Sequence, residues 1–168
     1  MQHQESRSDS VMKRSVYSLA VACGALTAVI AAVSSPAWAA GELVPEKAIR
    51  ARQSAYYLMG QQMARINATV KGDLPFDKSA METSAEVLDA VSRIATQYYP
   101  EGSDQGSTKA KPNVWKERPR FQELAQASQA DTAKLRAAVH AGDMKAIKAA
   151  FGATGQSCKA CHDSFKAQ

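Results

Sequence analysis

The chain has 168 residues and a mass of 18.0 kDa, with 45% hydrophobic and 22% charged residues. That suits one domain with a buried core, and it excludes a disordered tail, a collagen-like repeat and a multidomain enzyme. The 21 Lys and Arg exceed the 16 Asp and Glu by five, yet no basic run is longer than Lys13-Arg14, so no dedicated nucleic-acid face is expected.

The first segment reads as an address. Lys13 and Arg14 precede an apolar stretch from Val16 to Val33, followed by Ser34, Ser35, Pro36 and the small-x-small triplet Ala37-Trp38-Ala39. A charged start, an apolar middle and an Ala-x-Ala end form a cleaved secretory signal, which makes residues 1–39 the signal peptide and 40–168 the mature domain. A retained membrane helix is the alternative, since about 18 apolar residues just span a bilayer; Pro36 and the cleavage triplet argue against it. Met12 is a second candidate start. Cys23 would leave with the signal, so two of the three cysteines remain, too few for a disulfide scaffold. The expected product is exported and free of the membrane.

Four helical segments follow, in a chain rich in alanine and only 7% aromatic. The first opens at Pro45 and Glu46, stops at Gly72 and Pro75, and repeats Ile49, Arg52, Tyr56, Met59, Met63, Ile66 and Val70 at steps of three and four. The second runs from about Lys78 to Tyr99, with Met81, Ser84, Leu88, Val91, Ile94 and Tyr98 on one face. The third starts near Pro119, uses Phe121, Leu124, Ser128, Leu135 and Val139, and ends at Gly142. The fourth takes Asp143 as its N-cap and aligns Met144, Ile147, Phe151, Thr154, Cys158, Cys161 and Phe165. No stretch alternates with the period of a strand. The first and last connections are short, whereas Pro100 to Lys116 is long and rich in Gly, Ser, Lys and Pro. Short connections force antiparallel neighbours, so the expected fold is all-α, an up-down-up-down four-helix bundle.

Chemistry concentrates in Cys158-Lys159-Ala160-Cys161-His162. Two thiols three positions apart, followed at once by an imidazole, match covalent c-type haem attachment. On a helix these three residues lie at i, i+3 and i+4 and project from one side. Each thiol can add to one haem vinyl group, and His162 can then reach the iron. Three other readings remain open: a disulfide or redox pair, strained in mid-helix; a zinc site drawing on His140 as a fourth ligand; and two buried thiols that merely pack.

With these pieces in place, the chain resembles the cytochrome c′ family of exported bacterial class II c-type cytochromes. The likeness rests on CKACHDSFK at the C-terminus, AIRARQSAYYLMGQQM in the first helix, the loop GSTKAKPNVW and the late AAFGATGQSCKACH. The resemblance implies one covalent haem c near the C-terminus, held by Cys158 and Cys161, with His162 as sole protein ligand of a five-coordinate, high-spin iron. It places Tyr56 over the sixth position, Arg52 and Gln53 on the propionate side, and Ser107 and Thr108 in a loop at the haem edge. Lys166 stands on the proximal side where the family commonly has arginine, and it keeps the charge without the planar fork. Periplasmic location and a homodimer through the first two helices are also implied.

Distal polarity and access decide what a haem does. A tyrosine over the open position admits small neutral gases such as nitric oxide and carbon monoxide, and nothing in the sequence resembles a peroxidase acid–base pair. The expectation is therefore a non-enzymatic protein that binds gases and exchanges single electrons with redox partners the sequence does not identify. The first alternative is a low-spin carrier of the same fold with Met59 or Met63 as second axial ligand, and the other is a haem-free Cys/His metal or redox protein.

Overall fold

Proline lacks the N–H that a helix start leaves unpaired, and a first-turn carboxylate suits the positive end of the helix dipole. Pro45 and Glu46 accordingly open α1, Pro45–Lys71, in the computed structural model, which describes residues 44–168. The expected signal peptide and its cleavage site lie outside the described residues. Gly72 ends α1 at φ 89°, which turns its N–H back to the carbonyls of Ala68 and Thr69. α2, Lys78–Ala95, is capped by the Asp77 carboxylate, which accepts from the Ala80 N–H at 3.1 Å. A single turn, α3, covers Asn113–Lys116; α4 spans Arg118–Ala141 with a proline in its first turn and Gly142 at φ 75° after it. α5 spans Met144–Phe165, its N-cap Asp143 accepting from the N–H groups of Lys145 and Ala146.

Two expectations are corrected in α2. The helix ends at Ala95 rather than near Tyr99. Pro100 disfavours helical backbone at the residue before it, and the carbonyls of Tyr98 and Tyr99 accept instead from Arg52 at 3.1 Å and Arg118 at 2.8 Å. The inward face also differs: Ile94 is 43% exposed, while Ser92 and Ala95 are buried. Ser92 is tolerated inside because its hydroxyl donates to the Asp89 carbonyl at 2.8 Å and pairs with Thr132 Oγ1 at 3.1 Å. Thr132 in turn donates to the buried Asp89 carboxylate at 3.3 Å, and Arg93 and Arg136 pair with that carboxylate at 2.9 and 3.2 Å. The long connection, expected as loop throughout, contains α3.

The long helices pack α1 on α2, α2 on α4, α4 on α5 and α5 back on α1, giving the antiparallel four-helix bundle. One apolar cluster, with Ile66, Met81, Leu88, Leu135, Val139 and Ile147 fully buried, fills one part of it. A second, of Tyr99, Val114, Phe121 and Phe165, is aromatic and lies beside the C-terminal end of α5. No strand occurs among the described residues. One isolated bridge joins Ala110 to Lys166, with the Lys111 N–H on the Phe165 carbonyl at 2.9 Å and the Ala167 N–H on the Lys109 carbonyl at 2.8 Å. That bridge straps the long connection to the end of α5.

Candidate functional site

The last two turns of α5 carry Cys158, Cys161 and His162, which the helical repeat puts on one side. Both thiols are free. Cys158 Sγ lies 3.6 Å from Ser128 Oγ of α4, and Cys161 packs against the aromatic cluster. Burial, with the neighbouring Cys158, pushes the Cys161 thiol up to about 11, so it is protonated at neutral pH. Partial burial and then the Lys166 charge hold the His162 imidazole below its ordinary value, against the opposing pull of Asp163. A neutral imidazole keeps a ring lone pair for a metal.

A cavity of about 900 Å³ opens beside this turn, within the roughly 300–1,000 Å³ of cofactor pockets. Cys158, Cys161, His162 and Phe165 line it from α5; Tyr56, Met59 and Met63 from α1; Leu88 and Ser92 from α2; Phe121 and Ala125 from α4. Residues 106–110 of the long connection form its rim. A second, polar recess of about 490 Å³ is lined by Lys109, Cys158, Lys159, His162, Asp163 and Lys166. The Cys–His turn therefore borders both spaces.

Tyr56 reaches the cavity and accepts a hydrogen bond from the Tyr99 hydroxyl at 3.4 Å. Burial first, then Tyr99, raises its phenol well above the ordinary value. Arg52 is buried on the same wall. Its NH1 group donates to the Tyr98 carbonyl at 3.1 Å and to Ser103 Oγ at 2.9 Å; NH2 donates to the Ser103 carbonyl at 2.5 Å and to Thr108 Oγ1 at 2.7 Å. Burial pulls the guanidinium below its usual value, but arginine stays charged in proteins. Gln53 Nε2 donates to the Ser107 carbonyl at 2.8 Å. Arg52 and Gln53 thus hold the rim residues Ser107 and Thr108 in place, a role the sequence did not reveal.

Lys166 has left the helix: its backbone is extended, in the bridge with Ala110, and its side chain lines both spaces. Tyr99, Ser103 and Lys109 join the site without having been anticipated. The one local signal for Tyr99 is Pro100, which ends α2 and frees Tyr99 to turn inward. Among the described residues no group of three or more His, Cys, Asp or Glu is placed to hold a metal ion, and His140 pairs with Glu82 at 3.0 Å. The zinc reading built on His140 is therefore corrected.

The donors fit a haem. Two free thiols one helical turn apart suit two vinyl groups, the adjacent neutral imidazole suits iron, and the mixed aromatic and aliphatic cavity suits a large flat ring.

The family model for cytochrome c′ matches residues 47–166. A cytochrome c′ of Alcaligenes xylosoxydans xylosoxydans is 38% identical over 122 residues, covering 73% of this chain and 94% of the relative. The crystal structure of cytochrome c′ from Rubrivivax gelatinosus is similar at a TM-score of 0.70 and 38% identity, covering 73% of this chain and 96% of that one. A nitric oxide complex of a cytochrome c prime variant from Alcaligenes xylosoxidans is similar at a TM-score of 0.70 and 38% identity, covering 74% and 96% of the two chains.

Proposed function

This chain belongs to the cytochrome c′ family, whose cofactor is covalent haem c, and on that premise we propose that it is an exported, periplasmic protein that binds nitric oxide and carbon monoxide and exchanges single electrons. Cys158 and Cys161 would hold the haem through two thioethers, and His162 would bind its iron. The haem supplies an iron centre with an open position and two accessible oxidation states. Residues of the chain decide what reaches that position.

The observation that carries this reading is the pairing of the Cys–His turn with Tyr56 in one cavity. Tyr56 packs on both apolar clusters and so reaches the aromatic one on which Cys161 packs, whereas Met59 and Met63 are found with the large aliphatic cluster only. Tyr56 would therefore be the side chain facing a bound haem opposite His162, which favours high-spin, five-coordinate iron over the low-spin His/Met alternative. Its ring blocks bulky ligands, and the apolar lining disfavours anions. Arg52 and Gln53 position the rim residues Ser107 and Thr108 at the propionate edge, and Lys166 supplies a cation on the His162 side. Among the described residues, the cavity lining has no carboxylate and no imidazole other than His162. The nitric oxide complex of the Alcaligenes relative supports the choice of ligand.

No helix among the described residues is long and apolar enough to cross a membrane. The homodimer belongs to the same proposal, through the outer faces of α1 and α2, where Tyr57, Leu58 and Ile94 are exposed.

Intact-mass measurement after co-expression with haem-attachment machinery tests the assignment. The expected product carries an adduct of roughly 0.6 kDa, the mass of one haem, and its absorption spectrum changes on addition of nitric oxide. A chain without the adduct, or an adduct that survives Cys158→Ala with Cys161→Ala, contradicts it.

A further inference from the structure

The Tyr56 hydroxyl is held from one side. A phenol has one proton to give and lone pairs to accept with. The Tyr99 hydroxyl donates to the Tyr56 oxygen at 3.4 Å, and this is the hydrogen bond the Tyr56 hydroxyl makes among the described residues. With a lone pair of Tyr56 so engaged, its own proton is left to point away from Tyr99. Tyr56 lines the cavity shared with Cys161 and His162, so the cavity is the direction that remains.

Tyr99 is itself fixed. Its ring is 7% exposed and meets Trp115 and Phe121 edge-on, at centroid separations of 5.7 and 4.9 Å. The guanidinium carbon of Arg52 lies 4.7 Å from the ring centroid. A cation over a phenol draws electron density from the ring and makes the O–H a better donor. Arg52, Tyr99 and Tyr56 thus form a line from the loop to the cavity, and each member polarises the next.

We propose that Tyr99 is a positioning residue that aims the Tyr56 hydroxyl proton into the cavity, so that the site favours diatomic ligands whose outer atom accepts a hydrogen bond, such as nitric oxide, over carbon monoxide, which accepts poorly. The inference rests on the gas-binding reading above and adds ligand preference to it. Without Tyr99 the Tyr56 hydroxyl would be free to rotate, and the donor would lose its direction. Tyr56 alone would then act as a steric cover.

The test compares the ferrous holoprotein with its Tyr99→Phe and Tyr56→Phe variants, each carrying nitric oxide or carbon monoxide. Phenylalanine keeps both rings, and far-ultraviolet circular dichroism confirms the fold. Infrared N–O and C–O stretching frequencies read the donor, and stopped-flow release of each gas reads its effect. Tyr56→Phe is expected to raise the N–O frequency and to speed nitric oxide release by roughly threefold to tenfold, the range of one hydrogen bond. Tyr99→Phe is expected to shift both in the same direction by less, and both variants are expected to change carbon monoxide release by less than they change nitric oxide release. The tyrosine Raman doublet, which reports whether a phenol donates or accepts, supplies a readout independent of any gas, and it is expected to change in Tyr99→Phe.

Unchanged N–O frequency and unchanged doublet in Tyr99→Phe, with a shift in Tyr56→Phe, overturn the positioning role. No shift in either variant overturns the donor itself. If the holoprotein binds neither gas, the visible spectrum shows it at once; the gas-binding reading then fails, and the preference built on it fails with it.

Discussion

Arg52 places its guanidinium carbon 4.7 Å from the centre of the Tyr99 ring while its terminal nitrogens reach four oxygens of residues 98–108. A buried charge is costly unless it is matched, and here four acceptors and an aromatic face provide the match. The same contacts draw the middle of the long connection over the cavity rim. Arg52 is thus the link between the sequence of α1 and the shape of the site.

Removing that link destabilises the fold. Arg52→Met is expected to cost roughly 2–4 kcal/mol in urea denaturation, because several buried acceptors lose a charged donor together. Arg52→Lys is expected to recover less than half of that, since an ammonium cannot reproduce the fork. A loss below about 0.5 kcal/mol in Arg52→Met, the range of an ordinary surface substitution, contradicts the anchoring role.

Burial holds the phenols of Tyr56 and Tyr99 above their ordinary values. Both groups are neutral when protonated, and the folded state keeps those protons longer than the unfolded chain does. Their contribution is therefore complete below about pH 10, the unfolded value, and declines as the pH rises above it. Denaturation series in alkaline buffers are expected to show stability falling through that window, with a shallower fall in Tyr56→Phe and in Tyr99→Phe. A fall of equal steepness in all three proteins refutes the assignment.

Asp89 joins α2 to α4 through Thr132 and Arg136, and it also pairs with Arg93 on its own helix. Asp89→Ala is expected to cost roughly 2–3 kcal/mol, because the Thr132 hydroxyl loses its carboxylate acceptor inside the bundle, while Ser92 keeps its bond to the Asp89 backbone carbonyl. Arg93→Ala and Arg136→Ala remove partners whose side chains are 53% and 51% exposed, and each is expected to cost less than about 1 kcal/mol. Thermal melting of the three variants checks the ordering, which reverses if the ion pairs rather than the hydroxyl network hold the helices.

The proposed homodimer predicts a change of mass in solution. Leu58→Glu with Ile94→Glu puts charges on the outer faces of α1 and α2, where both side chains are exposed, and light scattering is expected to report a dimer for the parent chain and a monomer for the variant. A monomeric parent refutes the interface.

The readable parts of the fold were those set by neighbouring residues. Pro45, Gly72, Asp143 and Gly142 mark helix ends through local backbone chemistry, and their positions in the structure match the expectation. The end of α2 was not readable, because the Tyr98 carbonyl is claimed by Arg52 from 46 positions away. Ile94 looked inward by spacing and turned outward because Ser92 finds its partner in Thr132, 40 positions on. The site divides in the same way. Cys158, Cys161 and His162 are contiguous enough to form a motif, and Tyr56 and Arg52 stood out on their stripe. Tyr99 and Lys109 reach the cavity, and Ser103 reaches Arg52, only through the folded connection, so no spacing announces them.

The central claim is an iron bound by His162 with its other axial position left open under Tyr56. Electron paramagnetic resonance of the purified ferric holoprotein tests it most directly. A high-spin signal that is lost when nitric oxide is added is the result this account predicts. A low-spin signal in the resting protein, with a methionine-to-iron charge-transfer band in the near infrared, would contradict it and assign the second ligand to Met59 or Met63.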